Sequence, residues 1–128
     1  MIHCRIVTPH GIYKEFDTTI LNIETEEGQR GILPNHMPLV TMLKIGRLES
    51  EENGVRNEYA IAGGLFYFRD NEAEILTDAI EHEDEIDIER AQQAKERAER
   101  RLQDENYDMK RAEIALKKAL NRIKIAGK

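Results

Sequence analysis

The sequence predicts a strand-built first half, an antiparallel sandwich or barrel, followed by an antiparallel pair of helices. Three observations predict it. All three prolines (Pro9, Pro34, Pro38) and every glycine except Gly127 lie before residue 65, so turn chemistry is confined to one side of the chain. Charge is divided as well: residues 1–84 hold 7 basic and 16 acidic side chains, whereas residues 85–128 hold 12 basic and 9 acidic ones. The apolar pattern also changes, from short alternating runs to spacings of three and four. Two domains follow, residues 1–84 and 85–128.

The elements can be read in order. Leu21-Asn22-Ile23-Glu24 and Tyr59-Ala60-Ile61-Ala62 alternate in polarity or size, and Leu65-Phe66-Tyr67-Phe68 is a compact aromatic run. Asn53-Gly54 predicts a type I′ hairpin, which needs positive φ at both central residues. Asp70-Asn71 predicts a second turn, before Glu74-Ile75-Leu76-Thr77. From Asp87, a natural N-cap, the chain runs to Glu105 without glycine or proline. Asn106-Tyr107-Asp108 breaks that helix and offers a cap for a second, reaching about Ile125. Ala91, Ala94, Ala98 and Leu102 line one helix; Ala112, Ala115, Ala119 and Ile123 line the other, with Leu116 and Leu120 beside them. Each alanine buries little more than a methyl, worth ~0.8 kcal/mol per carbon. Such a hairpin can dock weakly and act as a movable element, or serve as a permanent, merely stable appendage.

Composition excludes several functions. The chain has 128 residues and a net charge of −6, which argues against general nucleic-acid binding. No apolar run reaches the roughly 20 residues of a membrane span, and Met1-Ile2-His3-Cys4-Arg5 does not begin a signal peptide. Cys4 is the single cysteine. A cytoplasmic protein is the expectation. Ser50, the one serine, sits near a hairpin tip among carboxylates, with no base or oxyanion site in view. His3, His10, His36 and His82 lack metal-ligand spacing, no phosphate loop is present, and pairs such as Glu51-Glu52 read as solvated loop charges. No catalytic residue, metal or required cofactor is expected.

Two segments carry a resemblance. One is Gly28-Gln29-Arg30-Gly31-Ile32-Leu33-Pro34-Asn35-His36-Met37-Pro38-Leu39-Val40; the other is Ile86-Asp87-Ile88-Glu89-Arg90-Ala91 with Ala94 to Leu102 behind it. Ile6-Val7-Thr8-Pro9-His10-Gly11 and the Ala62-Gly63-Gly64 step agree with them. Together they resemble the epsilon subunit family of the bacterial F-type ATP synthase, over essentially the whole chain. The resemblance implies a β-sandwich followed by an antiparallel two-helix hairpin. It implies a non-catalytic subunit at the cytoplasmic face of the cell membrane, peripheral, joining the gamma subunit to the c-ring. The loop of Gln29, Arg30 and Gly31 would face the ring; His36, Met37 and Leu39 would face gamma. The rigid prolines Pro34 and Pro38 would hold Ile32, Leu33, Met37 and Leu39 in a fixed presentation, although these four could also plug one end of the sandwich.

The tail resembles the family's mobile inhibitory element, which extends along gamma to the alpha and beta subunits and blocks hydrolysis. Its motif also resembles a site where ATP is bound as a regulatory ligand without being hydrolysed. Carried over by position, that site comprises Glu81, Asp87, Arg90, Arg97 and Arg122, with Lys118 where relatives tend to have arginine. An antiparallel hairpin would set Arg90 opposite Arg122 and Arg97 opposite Lys118, four cations that a triphosphate would satisfy. The plainer alternative makes Asp87 only a helix cap and the arginines only partners of glutamates. A free-standing nucleotide sensor on the same scaffold is the competing function.

Overall fold

The computed structural model describes residues 1–127. Eight strands come first: β1 Ile2–Thr8, β2 Gly11–Thr18, β3 Leu21–Thr25, β4 Gly28–Ile32, β5 Leu39–Glu52, β6 Val55–Arg69, β7 Glu72–Leu76 and β8 Ile80–His82. A 3-10 turn, Glu83–Glu85, leads to helices α1 (Ile88–Leu102) and α2 (Met109–Ala126).

One long ribbon organises the strands. β5 and β6 pair antiparallel from Leu39↔Phe68 to Glu52↔Val55 and run through both layers of the sandwich. The sheet order is β2-β1-β7-β6-β5-β3-β4, with β8 added to β6. Along β6, Tyr59 to Ile61 pair with β8, whereas Leu65 to Arg69 pair with β7. The change occurs at Gly63 and Gly64, with φ of +82° and +134°. Buried positions change parity there too, from Tyr59 and Ile61 to Phe66 and Phe68. The sequence suggests two strands across this step; the structure has one, because paired glycines let the chain turn without leaving the sheet.

The two layers enclose one core. Ile2, Cys4, Ile6, Phe16, Phe66, Phe68 and Ile75 face Leu21, Ile23, Ile32, Leu48, Tyr59, Ile61 and Ile80. Phe16 stacks on Tyr59 across it, centroids 6.3 Å apart. Burial pushes the Cys4 thiol up to about 12, so it is packed and unreactive. Asn53-Gly54 and Asp70-Asn71 take positive φ at both residues, as type I′ hairpins require.

Two local expectations are corrected. Ser50 does lie near the β5–β6 hairpin tip but is buried, and Glu51-Glu52 are half-buried within β5 and are not solvated loop charges. Ser50 Oγ donates to Glu52 Oε2 at 2.6 Å, and Tyr59 Oη donates to the same oxygen at 2.9 Å. Lys14 Nζ completes the cluster, 3.0 Å from Glu52 Oε1. Burial works to raise the Glu52 carboxyl, but these three donors outweigh it and hold it below the usual range. The four apolar residues around the prolines also divide. Ile32 is core and Leu39 packs against it, whereas Leu33 and Met37 are 56% and 73% exposed.

The linker after β8 belongs to the sandwich. His82 N–H donates to Glu85 Oε1 at 2.9 Å and to Tyr13 Oη at 3.2 Å, and Tyr13 hydroxyl donates to Glu85. His82 Nε2 lies 2.8 Å from Asn57 Oδ1, and Glu58 N–H donates to Glu83 Oε2 at 2.8 Å. Helix α1 starts only beyond this knot, capped by Asp87 Oδ1 at 3.1 Å from Arg90 N.

A Cβ on Gly64 would stand 2.0 Å from the carbonyl oxygen of Leu76. Gly64→Ala should therefore cost about 3 kcal/mol or more, measured by urea unfolding. The Tyr13 hydroxyl, with the His82 N–H, holds the Glu85 carboxyl below its ordinary value. A lowered folded value gives stability that is full above the ordinary carboxyl range and is lost as pH falls through the folded value. Tyr13→Phe should shrink that acid-side loss, below about pH 4.3, in melts recorded against pH.

Candidate functional site

Two outward faces of the sandwich differ in kind, and the hairpin takes one of them. Its seam is built from Ala91 and Ala98 on α1 and Ala112 and Ala119 on α2, all buried. Small side chains let the helix backbones approach closely. It is α2 that lies on the sandwich, against β5 and β6, while α1 packs on α2. Ile125 joins Ala60 and Ile86 in a small apolar cluster, with Ala126 at its margin. Ile125 lies beyond the stripe the spacing suggests, because contact with β6 rather than with α1 buries it.

Beside that cluster is a cavity of about 200 Å³, lined by Ala60, Ile61, Ala62, Ala79, Ile80 and Glu81 of the sandwich and by Lys118, Asn121 and Arg122 of α2. Its floor is apolar and its rim is charged. Arg122 grips Glu81 with two nitrogens, Nε 2.6 Å from Oε1 and Nη2 donating to Oε2 at 3.3 Å. Asn121 Nδ2 donates to the Gly46 carbonyl at 2.8 Å.

The six residues of the expected nucleotide site are thus only partly gathered. Glu81, Lys118 and Arg122 share the cavity. Arg90 and Arg97 are exposed on α1 and do not line it. Asp87 caps α1 through the Arg90 N–H, the plainer of its two anticipated roles. Arg122 is engaged by Glu81, a carboxylate contributed by β8. At about 200 Å³ the cavity is smaller than the roughly 300–1,000 Å³ of small-molecule pockets. A nucleotide held here would have to lie along the rim, with α1 supplying further contacts.

The opposite face of the sandwich is open. Val40 pairs with Tyr67 and Met42 with Leu65 in the ladder, so their side chains form one outward row. Val40, Met42 and Tyr67 are 62%, 55% and 40% exposed. A groove of about 820 Å³ runs beside them, lined in part by Arg5, Glu74, Leu39 and Phe68. Leu39 is the last residue of this surface that the sequence motif marks as a contact. The alternation Leu39, Thr41, Leu43 against Val40, Met42 was the available signal.

The expected contact residues lie around this layer. Gln29, Arg30 and Gly31 form part of edge strand β4, where a loop was anticipated; their exposure comes from having β3 on one side only. His36 is half-buried, its ring edge-on to Phe68 at 5.9 Å and its Nδ1 2.7 Å from the Met37 carbonyl. Asn35 and Asn71 bond to each other at 2.6 and 3.1 Å, pinning this connection to the β6–β7 turn. Met37 is thereby presented on a fixed support.

Known proteins match both parts of the chain. Residues 1–83 match the family model of the ATP synthase delta/epsilon chain β-sandwich domain, and residues 84–127 match that of its long α-helix domain. Two similar relatives, both named ATP synthase epsilon chain, come from Halalkalibacterium halodurans and Exiguobacterium. The first is 42% identical over 130 residues, covering 99% of this chain and 98% of the relative. The second is 43% identical over 128 residues, covering 97% and 94%. Among solved structures, a chain of the Euglena gracilis mitochondrial ATP synthase, an OSCP/F1/c-ring assembly in rotational state 1, is 30% identical. It has a TM-score of 0.78, covering 91% of this chain and 75% of that one. A chain of the Tetrahymena thermophila mitochondrial enzyme shares the fold, with a TM-score of 0.62 at 19% identity. The chain belongs to the ATP synthase delta/epsilon chain family.

Proposed function

We propose that this epsilon-type chain works in the rotor of a proton-translocating ATP synthase, at the cytoplasmic face of the membrane. Its sandwich couples the gamma subunit to the c-ring, and its tail restrains hydrolysis. The observation that carries this reading is the unequal use of the two outward faces. One holds the helices through a small apolar cluster and two polar contacts. The other presents Val40, Met42, Tyr67 and Met37 to a partner. An exposed apolar row on a rigid sheet suits a permanent protein contact. The gamma subunit is the partner assigned to it, and edge residues Gln29, Arg30 and Gly31 are assigned to the polar loops of the c-ring.

The tail's net charge of +3 suits it to acidic segments of the alpha and beta subunits when it extends. Coupling requires only the sandwich. A chain ending after Glu85 retains the Tyr13 and His82 knot and should still assemble and support ATP synthesis. Hydrolysis by that complex should rise above that of the intact one. An unchanged rate would leave the tail without a regulatory role.

ATP is assigned as a regulatory ligand of the docked hairpin, recognised by Glu81, Lys118 and Arg122 at the cavity and by Arg90 and Arg97 from α1. Asp87 would serve through its capping of α1. The support is the meeting of two cations and a carboxylate over an apolar floor. Calorimetric titration of the isolated chain with ATP, with and without magnesium, checks it. Arg122→Ala should weaken binding about tenfold or more, and Lys118→Arg should strengthen it by supplying a forked donor. Identical affinities in both variants and the parent would remove the cavity from the site.

A further inference from the structure

We propose that Asn121 is the residue that fixes the hairpin in its docked position, acting as a latch between α2 and the sandwich. The apolar part of the docking surface does little to define a position. It comprises Ala60, Ile86 and Ile125, with Ala126 half-buried beside them. Two alanines and two isoleucines give non-directional contact over a small area, which supplies adhesion but little register. A polar group that must find its partner supplies the register, as a single buried asparagine does in a coiled coil.

Asn121 meets that requirement. Its amide donates to the Gly46 carbonyl at 2.8 Å, joining groups 75 residues apart in a half-buried setting. The acceptor lies where the β3–β5 ladder slips, between Ile23↔Leu48 and Thr25↔Leu43. Around Gly46 the backbone takes other partners: Arg47 N–H donates to Glu24 Oε1 at 2.8 Å. Glu24 also covers Gly46, since a Cβ there would come within 3.0 Å of its carboxyl group. The acceptor is therefore held from beneath and aimed by the sheet. One residue on, Arg122 closes on Glu81. An ion pair between long side chains tolerates displacement; an amide on a fixed carbonyl does not.

The docking claim rests on these contacts alone, and its regulatory consequence rests on the mobile-tail reading above. The test uses the full chain with Ala60→Cys as reporter, because Ala60 is covered at the docking cluster. Cys4, in the core, reports global unfolding in the same sample. Asn121→Ala and the equal-sized Asn121→Asp should each raise the labelling rate of the reporter about tenfold, equivalent to about 1.4 kcal/mol. Cys4 labelling and far-ultraviolet dichroism should stay unchanged, which keeps undocking distinct from misfolding. Gln93→Ala, on exposed α1, should not alter the rate. Reporter labelling within twofold of the parent in both Asn121 variants would overturn the latch. In the assembled complex, Asn121→Ala should lower hydrolysis by freeing the tail. Faster labelling with unchanged hydrolysis would keep the latch and sink the mobile-tail reading.

Discussion

The kink at Gly63-Gly64 is the constraint on which the rest of the molecule depends. Without it, β6 could serve only one layer, and β7 and β8 could not both find an edge along the same strand. The ladder also has to be re-secured at the bend. Ala62 N–H reaches the Ala79 carbonyl at 3.0 Å, and Thr77 Oγ1 donates to Gly63 O at 2.6 Å. Because the bend reverses which residues face inward, it decides the chemistry of both outer faces. Before it, Ala60 points outward and provides a shallow seat for a helix. After it, Leu65 and Tyr67 point outward and provide an apolar row. One backbone feature thus separates the surface kept for the tail from the surface left for a partner.

The linker and the tail are attached with very different strengths. From His82 to Glu85 the chain is knotted to β2 and β6 by side-chain and backbone bonds to Tyr13, Asn57 and Glu58. The hairpin beyond it relies on Ile125 packed against Ile86 and Ala60, with Ala126 beside them, and on two polar contacts. A fully buried isoleucine contributes about 1.5–3 kcal/mol, and a net hydrogen bond about 1 kcal/mol. Local opening free energies follow such differences, which is what the proposed departure of the tail from an intact sandwich requires. The pivot this places between Ile86 and Asp87 lies at the start of α1, after the last knotted residue.

Much of this architecture was legible in the sequence, for identifiable reasons. Asn53-Gly54 and Asp70-Asn71 mark turns whose backbone needs they uniquely suit, and Asp87 and Asp108 mark helix starts by the same local logic. The alanine stripes gave the seam. What was not legible depended on distant partners. Ser50 and Glu52 look like loop residues until Lys14 and Tyr59 arrive from other strands. Asn121 looks like an unremarkable helix position until Gly46 is placed beneath it. The nucleotide constellation, carried over by position, already contains Glu81, but the hairpin geometry that supports it places only Arg90, Arg97, Lys118 and Arg122 and leaves out β8. Glu81 approaches from outside the hairpin and engages Arg122, a competition that no helix-on-helix alignment reveals.

That competition shapes how any anion would act here. Arg122 in the docked state is not a waiting cation, since its guanidinium already spans the Glu81 carboxylate. A phosphate group gains only the difference between its own contacts and those it displaces. Lys118, exposed at the same rim, has less to give up. Yet the arrangement also supplies the condition for coupling. Glu81 belongs to the sandwich, whereas Lys118 and Arg122 belong to α2. A ligand held by both sides is lost when α2 departs, so its differential affinity for the docked state is built into the geometry. By reciprocity, whatever frees the hairpin must weaken that ligand by the same factor. A site confined to the two helices would gain nothing from undocking as a rigid pair and would exert leverage only if the helices also separated.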